Sequence, residues 1–357
     1  MRIVIVTDVW RSEIYDENRG QAPIIDFVRI YEGTIDCLQQ AGHQVSLITP
    51  LDFSPDLSPV SSDIPVGQSS GRSVSKYLYS FRPDAVHITT EGLIGHAARA
   101  WCLGQNFPFT TSFHSPFPDY IRLRMPIPHH LTYDNLRNFH KFARRTLVLS
   151  PAEQALLQEW GYSNVVIWRN GVDTARFYPR PVKPDHPARP LYAYSGRVAM
   201  EKNIEEFLAL ELPGSKLVIG DGPDLQELRK KYPAVQFVGD KSGEEFAEWL
   251  AGADVLVCPG MTDGFGMEMV EAMACGIPVA AYPVAGPLDL IVNGVNGVMD
   301  ADLRKAALMA LELDAEDCVR FAHKYARDYS TQSFLSYLEP VNLHDRGFLQ
   351  ERIYADG

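Results

Sequence analysis

The run Thr262-Asp263-Gly264-Phe265-Gly266-Met267-Glu268-Met269-Val270-Glu271 sets two acids, Asp263 and Glu271, eight positions apart across a glycine turn. It follows the apolar run Val255–Cys258 and continues in a helical pattern to Gly276 and Pro278, a glycine-then-proline exit. A helix that starts after a glycine turn presents unpaired backbone N–H groups, which attract phosphate or developing negative charge. The chemistry that fits is the binding of a diphosphate. Taken singly, Asp263 reads as a helix cap and Glu271 as a solvated acid; the eighteen-residue pattern from Thr262 to Val279 reads as a binding loop. A second segment, Tyr194-Ser195-Gly196-Arg197-Val198-Ala199-Met200-Glu201-Lys202-Asn203, offers the forked guanidinium of Arg197 and the compact ammonium of Lys202 just after a strand. Both suit a departing diphosphate, although a lone Arg or Lys is ordinarily surface charge.

These residues need elements that bring them to one edge. Short β-branched runs recur between helical stretches at Ile3–Val6, Val45–Ile48, Ala85–Ile88, Phe109–Phe113, Thr146–Leu149 and Val165–Trp168, and again at Leu191–Tyr194, Lys216–Ile219, Val235–Val238, Val255–Cys258 and Val279–Tyr282. Strands alternating with helices indicate parallel βαβ units. The expectation is an α/β chain of two Rossmann-like, doubly wound domains facing a central cleft, with ligands at the carboxyl ends of the strands. The proline-rich segment 179–190 is expected to join a first domain, 1–178, to a second, 191–330, with a C-terminal helix and tail, 331–357, returning to the first. Gly220-Asp221-Gly222-Pro223 ends a strand and opens a helix as a tight βα turn. Phe237-Val238-Gly239 offers backbone groups at another strand end. Ser54–Ser75 reads as a serine- and proline-rich loop, and Ala315–Leu338 carries helical spacing.

Composition narrows the function classes. A chain of 357 residues with 46% hydrophobic and 22% charged residues is globular, and its length calls for two domains. The net charge of −12 argues against a general nucleic-acid binder. Five scattered cysteines, Cys37, Cys102, Cys258, Cys275 and Cys318, lack the paired spacing of a zinc or redox site and suit a reducing cytoplasm. The N-terminal apolar run reads as a first strand rather than a signal peptide. The stretch from Ala272 to Leu288 is too short and too interrupted by Gly and Pro to span a membrane. Asp300-Ala301-Asp302 has the spacing of a metal-binding pair but precedes the helical pattern Leu303–Leu311, so capping explains it and no essential metal is expected.

The segments around Arg197 and Glu271, together with Thr110-Thr111-Ser112-Phe113-His114 and Asn170-Gly171-Val172-Asp173, resemble the retaining glycosyltransferases of family four, which have the GT-B fold, and specifically their bacterial type. The resemblance spans most of residues 1–338. It implies transfer of a hexose from a nucleotide-sugar donor, a UDP- or GDP-sugar, to a lipid-linked or saccharide acceptor, with no required cofactor. It places Glu271 on the donor ribose, Arg197 and Lys202 on the pyrophosphate, Asp263 toward the transferred sugar, and His114 near that sugar and the acceptor. Gly196, Gly220, Gly222, Val238, Phe265, Gly266 and Met267 complete the donor-binding set, and Asn170–Asp173 becomes an interdomain hinge. Catalytic roles fall to His114, Asp263, Arg197 and Lys202.

Some residues depart from the family. Aspartate at 263 replaces the commoner glutamate and shortens its reach. Where relatives carry a glycine loop after the first strand, this chain has a longer, acidic segment, 10–26, with Asp26 expected to cap the helix Phe27–Leu38. Glu268 stands where relatives are mostly apolar. These departures leave open a catalytically degenerate sugar-nucleotide-binding protein and a nucleotide-sugar epimerase of the same architecture; a dehydrogenase lacks support, because no Gly-x-Gly-x-x-Gly follows the first strand. Residues 119–145 carry six basic residues, Arg122, Arg124, Arg137, Lys141, Arg144 and Arg145, against two acids. Interleaved Tyr120, Ile121, Leu123, Met125, Ile127, Leu131, Tyr133 and Phe139 make this stretch the expected peripheral contact with an anionic membrane, at its inner face. A pair of ordinary helices with solvated basic faces is the alternative.

Overall fold

The structure is a computed structural model that describes residues 1–8, 24–49, 52, 71–113, 129–180, 188–261 and 266–341. The described residues form two compact units: 1–8, 24–169 and 331–341 make the first, and 170–330 the second. The division falls at Asn170, ahead of the proline-rich segment 179–190, of which 181–187 lie outside the described residues.

The first unit is built on six parallel strands, β1 (Arg2–Val6), β2 (Gln44–Ile48), β3 (Ala85–Ile88), β4 (Phe109–Ser112), β5 (Thr146–Val148) and β6 (Val165–Ile167), in the order β2-β1-β3-β4-β5-β6. Both faces are covered, which is why β1 is apolar from Ile3 to Val6. Ile3 and Ile5 pack on one face with Leu147, Trp168 and Phe334, and Val4 and Val6 on the other with Val86, Ile88, Ile94 and Phe109. Helix α1 (Ile24–Gln40) starts before Phe27, so Asp26 lies in its first turn rather than ahead of it. Helix α2 (Gly71–Phe81) takes in residues 71–75, which were expected in the serine-rich loop, because Val74 and Leu78, one turn apart, are both fully buried. The remaining helices that matter to the site are α3 (Leu93–Gly104) and α4 (His129–His140).

The second unit repeats the plan with β7 (Leu191–Ser195), β8 (Ser215–Ile219), β9 (Gln236–Gly239), β10 (Val255–Cys258), β11 (Val279–Ala281) and β12 (Gly297–Met299) in the order β12-β11-β10-β7-β8-β9, again all parallel. Tyr192, Phe207, Val218, Val255, Val257 and Ala280 are buried together on one face of this sheet. The helical tail is broken: Ala315–Ala322 and Arg327–Tyr337 are separated by a short 3-10 turn, and Ala326 between them pairs with Val172 in an isolated parallel bridge. The segment Asn170–Asp173 is fastened there, with Arg327 Nη1 donating to Asp173 Oδ2 at 3.1 Å. From Thr331 onward the last helix belongs to the first unit, where Phe334 packs 5.1 Å from Trp168 between ring centroids.

Candidate functional site

In a doubly wound sheet the strand order reverses at one point, and the loops leaving the two strands there open a crevice at the carboxyl edge. In the second unit this point lies between β7 and β10. The loop after β7 carries Gly196, Arg197 and Lys202; the segment after β10 leads into helix α5 (Met267–Ala274), which carries Glu271. The side chain of Asn203 donates to the Pro259 carbonyl at 3.0 Å and ties the two strand ends together. The sheet thus brings the basic loop and the Glu271 helix to the same edge.

Backbone contacts hold this edge in place. Gly196 N–H donates to the Ile219 carbonyl at 3.0 Å, Val198 N–H to Asp221 at 2.8 Å, and Gly220 N–H to Gly239 at 2.9 Å. Gly220 has φ +146°, and a Cβ there would lie 1.9 Å from the Gly196 oxygen. The residue is glycine because two backbones pass in contact. Gly222 stands against Val198 in the same way, so both glycines expected at the donor shape the loops. The Tyr194 hydroxyl donates to the Arg197 carbonyl at 2.7 Å, fixing the backbone from which the guanidinium projects. Arg197 is partly exposed, with its Nε 3.5 Å from Glu201 Oε1, and Lys202 is half-buried. Val238, near the end of β9, is likewise half-buried.

Helix α5 begins at Gly266, whose φ of +68° is the left-handed conformation that glycine adopts at no steric cost. It ends as its sequence indicates: Gly276 N–H donates to Met273 and Ile277 N–H to Ala272, which closes the last turn around a left-handed glycine. Met269, Val270, Ala272 and Met273 are buried, whereas Met267, Glu268 and Glu271 are half-buried. Residues one turn apart share a face, so Glu271 stands with Met267 and Glu268 on the side turned from the core. Burial, with the Glu271 carboxylate as a further cause, pushes the Cys275 thiol up to about 12. Asp263 and Phe265 lie outside the described residues, and so does His114.

In the first unit the order reverses between β1 and β3. Asp8, just beyond β1, occupies the start of α3: its carboxylate accepts from Ile94 N–H at 2.7 Å, Gly95 N–H at 3.1 Å and the Thr90 hydroxyl at 2.9 Å. The place where an anion would meet this helix is filled by the chain's own acid. Beside it, Glu91 meets the fully buried His140, with Oε1 2.9 Å from Nε2. The reading of single motifs passed over Asp8, Glu91 and His140. Asp8 and Glu91 carry one local signal, an acid just after a strand at Val6-Thr7-Asp8 and at Thr89-Thr90-Glu91, and His140 carries none.

Of the stretch 119–145, residues 119–128 lie outside the described residues, Arg122 and Arg124 among them. In α4, Tyr133 and Phe139 are buried in the core, so they offer no surface; Leu131 remains exposed. Arg137 is paired with Asp134 at 2.8 Å and Arg145 with Glu339 at 2.8 Å. Phe142 is exposed between Arg99 and Lys141, whose charges lie 5.3 and 5.0 Å from its ring centroid. Asp302 caps the helix Leu303–Ala310 by accepting from Lys305 N–H at 3.0 Å, and Asp300 holds the Lys305 ammonium at 2.6 Å. Among the described residues no group of three or more His, Cys, Asp or Glu side chains could hold a metal ion, and no helix is long and apolar enough to cross a membrane.

Comparison with known proteins agrees with this fold. Residues 31–176 match Glycosyltransferase Family 4 and residues 190–313 match Glycosyl transferases group 1. The chain is 32% identical to a GDP-mannose-dependent alpha-mannosyltransferase of Mycobacterium tuberculosis over 68% of its own length and 66% of the relative's. It is 30% identical to the protein of the same description in Mycolicibacterium smegmatis, over 77% and 81% of the two chains. Among solved structures, sucrose-phosphate synthase from Thermosynechococcus elongatus superposes with a TM-score of 0.68 at 18% identity, covering 100% of both chains. Anabaena HepE in complex with UDP-glucose gives a TM-score of 0.66 at 15% identity over 94% and 98%. Two parallel six-stranded sheets of Rossmann type with these matches leave one assignment: the chain belongs to glycosyltransferase family 4, with the GT-B fold.

Proposed function

We propose that the protein is a retaining glycosyltransferase that moves a mannosyl group from GDP-mannose to a hydroxyl of a saccharide or lipid-linked acceptor. The observation that carries this reading is the edge at which Arg197, Lys202 and the Glu271 helix converge on the β7–β10 reversal. That constellation suits a nucleoside diphosphate: a carboxylate for the ribose hydroxyls and two cations for the pyrophosphate. The choice of GDP-mannose rests on the likeness to the GDP-mannose-dependent alpha-mannosyltransferases of Mycobacterium tuberculosis and Mycolicibacterium smegmatis.

In the reaction the bond between mannose C1 and the β-phosphate oxygen breaks, the acceptor oxygen bonds to C1, and the acceptor proton passes to a phosphate oxygen of the departing GDP. Charge grows on that phosphate as the bond breaks, so Arg197 and Lys202 act where a fixed positive charge lowers the barrier most. His114 and Asp263 are assigned to the transferred sugar, His114 on the acceptor side. No metal is required, and the enzyme works at the cytoplasmic face of a membrane, with the exposed Phe142, Arg99 and Lys141 as part of a peripheral contact. Incubation with GDP-mannose must release GDP, whereas an epimerase would return an altered sugar nucleotide and a pseudoenzyme would bind without turnover.

A further inference from the structure

We propose that Glu91 receives an uncharged hydroxyl of the acceptor sugar, and that His140 is the residue that positions it. The inference rests on the glycosyl-transfer reading above and names a contact on its acceptor side.

Glu91 leaves the carboxyl end of β3 at the strand reversal of the first unit, where a doubly wound sheet offers its ligand site. Its carboxylate is set by a chain of buried groups. His140 Nε2 lies 2.9 Å from Glu91 Oε1, His140 Nδ1 lies 2.8 Å from Thr111 Oγ1, and Thr111 Oγ1 lies 3.1 Å from Thr146 Oγ1. His140, Thr111 and Thr146 are fully buried, whereas the Glu91 side chain keeps 26% of its surface. With the carboxylate ionised, Nε2 carries the proton and donates to Glu91, and the hydroxyl of Thr111 donates to Nδ1. Every member of the chain then has its partner, and all of the order ends on one partly exposed acid.

The ligand class follows from what Glu91 has left to offer. An ionised carboxylate only accepts hydrogen bonds, and it has several lone-pair sites, of which His140 uses one. Among the described residues Oε2 has no hydrogen-bond partner, and it can accept from a solvent-side donor. A phosphate or carboxylate would be repelled by Glu91. The nearest helix N-terminus, which could offset that repulsion, is already occupied by Asp8. A neutral sugar hydroxyl meets these conditions. Phe113, just beyond the end of the neighbouring strand β4, packs with its ring centroid 6.2 Å from that of His140.

The test compares wild type with Glu91→Gln, His140→Phe and His140→Gln in three measurements: affinity for GDP, hydrolysis of GDP-mannose by water, and transfer from GDP-mannose to n-octyl α- and β-glucopyranoside. Glu91→Gln should leave GDP affinity and hydrolysis as in wild type. It should lower kcat/KM for the glycoside by about tenfold or more, chiefly through the acceptor KM. His140→Phe should reproduce that loss, and His140→Gln, which retains an N–H donor, should restore part of it. Undiminished transfer by Glu91→Gln, or loss of GDP affinity in parallel, overturns the proposal. A wild-type enzyme that hydrolyses GDP-mannose yet glycosylates neither octyl glucoside overturns the sugar-hydroxyl assignment and leaves the donor reading standing. Failure to bind GDP overturns the donor reading, and this proposal with it.

Discussion

At the scale of single residues, the convergence of the residues proposed for the donor was legible because they lie in short segments next to strands. Arg197, Lys202 and Glu271 each sit where the chain has just left a strand or entered a helix, so their placement at one edge follows from the topology. Replacing Glu271 or Arg197 with Ala should weaken GDP binding by about tenfold or more each, since a charge-assisted hydrogen bond contributes roughly 1.5–3 kcal/mol. Both side chains are partly exposed, so thermal unfolding should change little, and titration calorimetry alongside a melting curve separates the two effects. Unaltered GDP affinity in both variants would remove them from the donor site. Asp8, Glu91 and His140 were not legible in the same way. A buried acid and a buried histidine carry no sequence period, and their partners lie 82 to 87 positions away for Asp8 and 49 for the Glu91–His140 pair.

At the scale of elements, parallel strands announced themselves through apolar runs covered on both faces, and the expected strands appear at or within a residue or so of their places. β12 was missed because Gly297–Met299 is three residues long and lies between turn signals at Asn293-Gly294 and Asp300. The tail read as one helical stretch from its spacing, but the pairing of Ala326 with Val172 interrupts it, a tertiary contact that no local pattern encodes. The loops after β7 and β8 depend on backbone approach rather than on side chains. Gly220→Ala should therefore destabilise the second unit by about 1–3 kcal/mol, because Ala cannot adopt the native φ and its Cβ would collide with the Gly196 carbonyl. GDP affinity should fall with it, since the Arg197 loop must shift. A variant with an unchanged melting midpoint would show that the loop yields freely.

At the scale of the whole molecule, a net charge of −12 must coexist with any contact to an anionic surface, so that contact has to be local. Arg137 and Arg145 are committed to ion pairs, which leaves Arg122, Arg124, Lys141 and Arg144 with the exposed Phe142 to carry it. Sedimentation with vesicles containing phosphatidylglycerol should show binding that falls as salt rises and weakens on replacing Arg122 and Arg124 together with Glu. Indifference to such vesicles at low salt would point to a soluble saccharide acceptor.

The central claim concerns the reaction itself, and proton NMR of the anomeric region during incubation with GDP-mannose tests it most directly. The donor signal should decay as GDP accumulates, with mannose appearing first as the α-anomer, or as an α-mannoside when an octyl glucoside is present. A donor signal that persists while GDP-mannose is bound, a new sugar nucleotide in place of free GDP, or a β-configured first product would contradict it.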